Sequence, residues 1–170
     1  MDEKAFGEIY QTHLDAIFRH CYFRVSDRDQ AQDLAQATFI KTWEYLRKGK
    51  RIDNMKAFLY KVANNLVVDY YRQKKAISLD ALKEKGFEPV GDRGDKVINK
   101  LDEEILKNML YLIKKEYREI MVMRYVDGLK PRDISAITGE SQNVISVRIY
   151  RAVKAFRKVV KARGYATKLG

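Results

Sequence analysis

Apolar residues recur at steps of three and four through most of this chain, and no stretch of useful length alternates apolar with polar positions. Phe6, Ile9/Tyr10, Leu14, Ile17/Phe18 and Cys21 mark one side of a predicted helix over residues 3–24. Ser26-Asp-Arg-Asp29 resembles a capping box, with Asp in place of Glu or Gln, and predicts the next helix start there. That helix turns Ala31, Leu34/Ala35, Thr38/Phe39, Thr42/Trp43 and Leu46 inward before a basic loop over 47–54 breaks the period. A third helix is predicted from Met55 to about Lys74, with Phe58/Leu59, Val62/Ala63, Leu66 and Tyr70 inward. Gly86, Pro89, Gly91 and Gly94 then fall among charges of both signs, which reads as a linker. Helical spacing resumes at Leu101, Ile105, Leu106, Met109 and Leu112/Ile113, and a further helix from about Glu116 to Val126 ends at Asp127-Gly128. The expectation is all-α: a helical domain over 1–75, a flexible linker over 76–100 and a four-helix domain over 101–170.

The last two helices have the form of a helix-turn-helix. Pro131 suits a first helical turn, where its missing N–H has no partner to lose. Gly139 is placed to end that helix, and Ser141 to cap the next. In the second helix Ile145, Ile149, Ala152 and Phe156 form one inward face. From Ser141 onward there are eight Lys or Arg and no Asp or Glu. Like charges at helical spacing repel, so a one-sign face fits a polyanionic partner better than water alone.

Charge extends that picture to the whole chain. The formal net charge is +11. Residues 1–75 carry 14 basic and 10 acidic groups (+4), and residues 101–170 carry 15 and 8 (+7). Such a balance suits an anionic partner. A single cysteine, Cys21, excludes an intramolecular disulfide and fits a reducing compartment. There is no signal-peptide-like start and no apolar run of about 20 residues, so a cytoplasmic protein without membrane insertion is expected.

Little in the sequence supports catalysis. His13 and His20 are the two histidines, and no CxxC or HExxH spacing completes a zinc site. His20 is expected at the surface beside a core Cys21, no phosphate-binding glycine loop occurs, and nothing pairs Asp33 with Asp69 as metal carboxylates. Neither metal nor cofactor is expected, and no enzymatic role. The third helix instead carries Lys56, Lys61, Asn64, Asn65, Arg72, Lys74 and Lys75 with Tyr60, Tyr70 and Tyr71 interleaved. Amides pair with base edges, aromatics stack on unpaired bases and cations hold the backbone, a mixture suited to opened DNA. A polar bundle face with half-packed tyrosines would account for the same residues.

At these positions the chain resembles bacterial sigma factors of the extracytoplasmic-function group. Asp29–Trp43 (DQAQDLAQATFIKTW) is similar to their region 2.2, and Ala57–Arg72 (AFLYKVANNLVVDYYR) to regions 2.3 and 2.4. Arg118–Gly128, and Asp133–Gly139 through Arg151-Ala152, resemble region 4. Some positions depart from the pattern: Ala37 stands where many relatives have Glu, Phe58 where Trp is common, and Ile113-Lys114 where Leu-Pro is usual. Asn143-Val144 and Ser146-Val147 replace the frequent Gly-Thr and Lys-Ser, removing a cation from the reading helix.

The resemblance implies a promoter-specificity subunit of RNA polymerase. Asp33, Gln36, Phe39 and Lys41 fall on the helix that such factors dock on the core enzyme's β′ subunit, with β also a partner. Lys61, Asn64, Asn65, Tyr71 and Arg72 fall where an unpaired −10 base and its backbone are held, with 48–54 as the pocket's variable wall. Gln142, Asn143, Ser146, Val147, Arg148, Tyr150 and Arg151 would meet −35 duplex DNA. An anti-sigma factor is the usual regulatory partner. The alternative is a helix-turn-helix regulator that acts without core polymerase.

Overall fold

The computed structural model describes residues 2–81 and 99–164. Among them the secondary structure is helical throughout: α1 Glu3–Val25, α2 Arg28–Arg47, α3 Met55–Ala81, α4 Asn99–Leu110, α5 Lys115–Met121, a π-helical turn Val122–Val126, α6 Pro131–Thr138 and α7 Gln142–Ala162. The third helix runs to Ala81, past the boundary expected near Lys74, and the predicted linker lies largely outside the described residues.

Local chemistry explains the helix ends. Asp2 caps α1, accepting a hydrogen bond from the Ala5 amide at 2.8 Å. The second helix starts one residue later than the capping-box reading placed it. Asp27, not Ser26, accepts from the Gln30 amide at 3.0 Å. Ser26 ends α1 instead in a left-handed conformation, φ 58°, its amide bonded to Tyr22 O. Asn54 caps α3 through the Ala57 amide at 3.0 Å.

Helices α1–α3 enclose Ile17, Phe23, Leu59, Ala63 and Val67, all buried, and burying a large apolar side chain of this kind is worth about 1.5–3 kcal/mol. The C-terminal helices close around Leu110, Ile134, Ile145 and Ala152. These are not separate cores. α1 and α3 pack against the π-helical turn and α6, and the buried apolar residues of both halves form one continuous cluster.

Buried polar contacts line that junction. Arg24 Nη1 donates to Asn64 Oδ1 at 2.7 Å and to His20 Nε2 at 3.2 Å. Nε2 thus accepts, and His20 Nδ1 is left to donate to Asp127 Oδ2 at 2.6 Å. The side chains of His20 and Asp127 are each 1% exposed, so the expectation of a surface histidine was wrong. Local periodicity had placed His20 beside the core, but what buries it is a carboxylate 107 positions away. The π-helical turn delivers that carboxylate: Asp127 N bonds Val122 O at 2.9 Å, a five-residue step that inserts one extra residue into the turn.

Candidate nucleic-acid interface

The candidate strand-binding residues of α3 lie on two different stripes. Lys61, Asn65, Val68 and Arg72, at steps of four, three and four, are exposed together. Among the described residues Arg72 pairs with Asp69, at 3.5 Å. Tyr60, Asn64, Val67 and Tyr71 form a second stripe roughly a quarter turn round the helix, and it faces inward. Asn64 is buried against Arg24, which corrects its placement on the open face. The Tyr71 hydroxyl donates to Arg24 O, and the Tyr111 hydroxyl donates to the same oxygen at 2.9 Å. Lys115 Nζ sits 3.8 Å from the Tyr71 ring centroid. Burial first, then the neighbouring Tyr111, pushes the Tyr71 hydroxyl pKa above its ordinary value. Burial and then the Asp127 charge do the same at Tyr60. Both phenols therefore stay neutral.

The α7 reading face is built from the turn before it. Gly139, at φ 79°, ends α6 in the left-handed region, and Ser141 caps α7 by accepting from the Val144 amide at 3.3 Å. With Ile145 and Ala152 locked into the core, Gln142, Asn143, Ser146, Val147, Tyr150 and Arg151 all stand exposed on the opposite side. Tyr150 is 70% exposed. A groove of about 320 Å³ runs beside them, lined by Asn143, Val147 and Arg151 with Glu116 and Tyr117 of α5. Val144 and Arg148 line the same groove, but the Arg148 guanidinium is engaged within the chain. Its Nη1 and Nη2 each bond a Glu140 carboxylate oxygen at 2.6 Å, a bidentate pair across the helix-turn-helix turn. Farther along, Lys154, Arg157, Lys158 and Lys161 surround a second groove with Tyr150.

The third surface lies on α2. Asp33, Gln36 and Lys41 are exposed, but Phe39 is buried edge-on against Tyr10, ring centroids 4.8 Å apart. Phe39 therefore shapes the floor of this surface from below. Ile40, four residues from Gln36, is 58% exposed and was not singled out from the sequence. It borders an apolar groove of about 480 Å³ with Phe6, Tyr10, Gln36 and Trp43, and the Phe6 and Trp43 rings lie 4.9 Å apart. The signal was available: a β-branched apolar residue falls on the same stripe as Asp33 and Gln36. Among the described residues no cluster of His, Cys, Asp or Glu could hold a metal ion, and no helix is long and apolar enough to cross a membrane.

Comparison with known proteins follows the same division. Residues 9–77 match the family model for Sigma-70 region 2, and residues 103–156 match that for Sigma-70 region 4. The chain is 26% identical to the ECF RNA polymerase sigma factor SigW of Bacillus subtilis, an alignment covering 94% of this chain and 91% of the relative. Its fold is similar to that of the sigma factor RpoE, solved with the anti-sigma factor NepR from Bartonella quintana (TM-score 0.76, 24% identity, 93% of this chain and 98% of that one). It is also similar to CnrH, solved with the cytosolic domain of CnrY (TM-score 0.71, 20% identity, 95% and 90%). Two family regions in their proper order, each laid over the half whose exposed residues suit it, and a relative aligned nearly end to end leave the regulator alternative without support: the chain belongs to the sigma-70 family and is a sigma factor of the extracytoplasmic-function group.

Proposed function

We propose that residues 1–75 bind core RNA polymerase through the exposed face of α2 and capture an unpaired −10 base on α3, while residues 101–170 grip duplex −35 DNA with α7. The observation that carries this reading is the separation of two nucleic-acid faces of different chemistry. The exposed α3 stripe sets the amide of Asn65 between the cations Lys61 and Arg72, as readout of an extruded base requires. The α7 face is a long, acid-free helix, as docking in a major groove requires. Binding energy does all the work: holding an extruded base offsets the few kcal/mol of unstacking and unpairing, which shifts closed promoter towards open without chemistry. Two weak modules on one chain gain from effective concentration when both sites lie on one DNA. The α2 groove around Ile40 supplies apolar area for the β′ contact, with Asp33 and Gln36 at its rim; β is the other core partner. An anti-sigma factor is the expected regulator, as the sigma factor RpoE, of similar fold, was solved with the anti-sigma factor NepR.

The test is transcription reconstituted from purified core polymerase, this chain and fragmented genomic DNA, with start sites mapped. Defined starts that depend on the chain support the reading, and failure to join core or to initiate from any template refutes it. Within that assay Asn65→Ala should impair opening and leave closed-duplex binding nearly intact. The reverse pattern removes Asn65 from the base pocket.

A further inference from the structure

The side of α7 that carries the reading residues does not stop at Arg151. At about 100° per residue, Asn143, Ser146, Val147, Tyr150 and Arg151 share one side of the helix, opposite the buried Ile145 and Ala152. Lys154, Arg157, Lys158 and Lys161 continue that same side for about three more turns. All four are exposed, and among the described residues none of them takes part in an ion pair. They border a groove of about 410 Å³ with Tyr150 and Val153. We infer that this end of α7 is a second duplex-DNA site, a sequence-independent clamp on the phosphates that flank the −35 element. The inference rests on reading α7 as the −35 helix. The region 4 match ends at residue 156, so Arg157, Lys158 and Lys161 lie past the segment the family model covers.

Length and chemistry change at the same place. From Gln142 to Arg151 the helix rises about 13 Å, close to the major groove's width of about 12 Å. Over that span the exposed side chains are mostly amide, hydroxyl, apolar and aromatic, the types that read base edges. The next stretch, about 15 Å to Lys161, has no room left in that groove and carries a cation at each exposed position of the stripe. A helix longer than the groove is wide crosses the sugar–phosphate wall, and there cations fix the protein in place without reading sequence.

Electrostatics favours DNA over an acidic protein as the occupant. Lys154 and Lys158, like Arg157 and Lys161, are four residues apart, while Lys154 and Arg157, like Lys158 and Lys161, are three apart. Such like-charge neighbours repel in the free chain. A row of phosphates relieves that repulsion and releases counterions at every contact. Protein interfaces are instead depleted in lysine, and three of these four cations are lysines.

The test is a full-length variant with Lys154→Gln, Arg157→Gln, Lys158→Gln and Lys161→Gln, since glutamine keeps the helix propensity of these positions. Circular dichroism confirms its helices. Its binding is titrated across a salt series on two duplexes of equal length, one with the −35 region of a promoter mapped with this factor and one scrambled. The slope of log affinity against log salt should become shallower by about 3.6, at about 0.9 per phosphate. Between about 50 and 200 mM salt the variant should therefore lose roughly a hundredfold less affinity than the wild type. Both duplexes should weaken by the same factor, leaving the preference between them intact. A second measurement needs no substitution: neutral methylphosphonates at the phosphates bordering the −35 element should weaken the wild-type chain and leave the variant indifferent. The clamp is overturned if the slope changes by less than about two, if the loss is confined to the −35 duplex, or if methylphosphonates spare the wild type or weaken both chains alike. A variant that keeps both duplex affinities but no longer joins core polymerase overturns it in favour of an acidic protein surface. Failure of the −35 reading looks different, because the wild-type chain would then bind the two duplexes equally while its steep slope remained.

Discussion

Glu140→Gln alters one charge and almost no volume at the turn ahead of α7. Two 2.6 Å bonds now hold Arg148 on that carboxylate, with side-chain exposures of 29% and 36%. Solvent screens a pair this open, so its loss should cost about 1 kcal/mol of stability or less. The effect on DNA has the opposite sign. The substitution removes a negative charge beside the reading helix and releases a guanidinium at its edge. If the released Arg148 engages one phosphate, the slope of log affinity against log salt steepens by about 0.9. Between about 50 and 200 mM salt, the variant should then lose roughly three- to fourfold more affinity than the wild type. Fluorescence anisotropy of a −35 duplex with the full chain across a salt series measures this, and Arg148→Ala in the Glu140→Gln background should return the slope to its starting value. An unchanged slope in Glu140→Gln, whatever its affinity, refutes the idea that Glu140 holds Arg148 away from the backbone.

Other outcomes follow from single positions. Ile40→Lys should abolish core polymerase binding in gel filtration with little change in melting temperature, because Ile40 is exposed; an unfolded variant or an intact complex would each contradict this. Ile145→Ala removes a fully buried side chain at the root of α7 and should cost about 2–5 kcal/mol in denaturant unfolding. Burial above all pushes the Cys21 thiol up to about 12, an effect eased by Arg24 and reinforced by Asp127. The unfolded thiol ionises near pH 8.5 and the folded one does not, so above that pH stability should fall by up to about 1.4 kcal/mol per unit. Cys21→Ala should flatten that part of the profile. At about pH 8, Cys21 in the native chain should resist thiol reagents that label the unfolded chain at once.

The helices were legible because their positions are fixed by short-range periodicity. The inward faces of α1, α2 and α7 stand where three- and four-residue steps put them, and Gly139 and Ser141 punctuate the helix-turn-helix as their backbone and capping chemistry require. What was not legible depends on partners distant in sequence. Arg24 and His20 look like ordinary polar positions until Asp127 and Glu119 arrive from the other half. Asn64 and Asn65 are neighbours of the same type, so composition could not separate them; a step of about 100° places one inside and one outside. The inner stripe Tyr60–Asn64–Val67–Tyr71 was disguised because an amide and two phenols fill positions that an apolar count passes over. Phe39 was drawn into the polymerase set by its place in a motif, whereas burial shows that it supports the surface instead. The pairing of Arg148 with Glu140 was not legible, because charge alone says nothing of a carboxylate eight residues earlier.

The π-helical turn Val122–Val126 carries one amino acid more than an α-helical turn would. That surplus rotates everything downstream by about 100° around the axis. Loss of a single codon here would keep nearly every core side chain yet swing α6 and α7 to a new bearing, carrying Asp127 off the histidine it meets. The phase between the two DNA-facing halves is thus set by the count of residues in one short turn, and a frame-preserving deletion could uncouple them where most point substitutions would not.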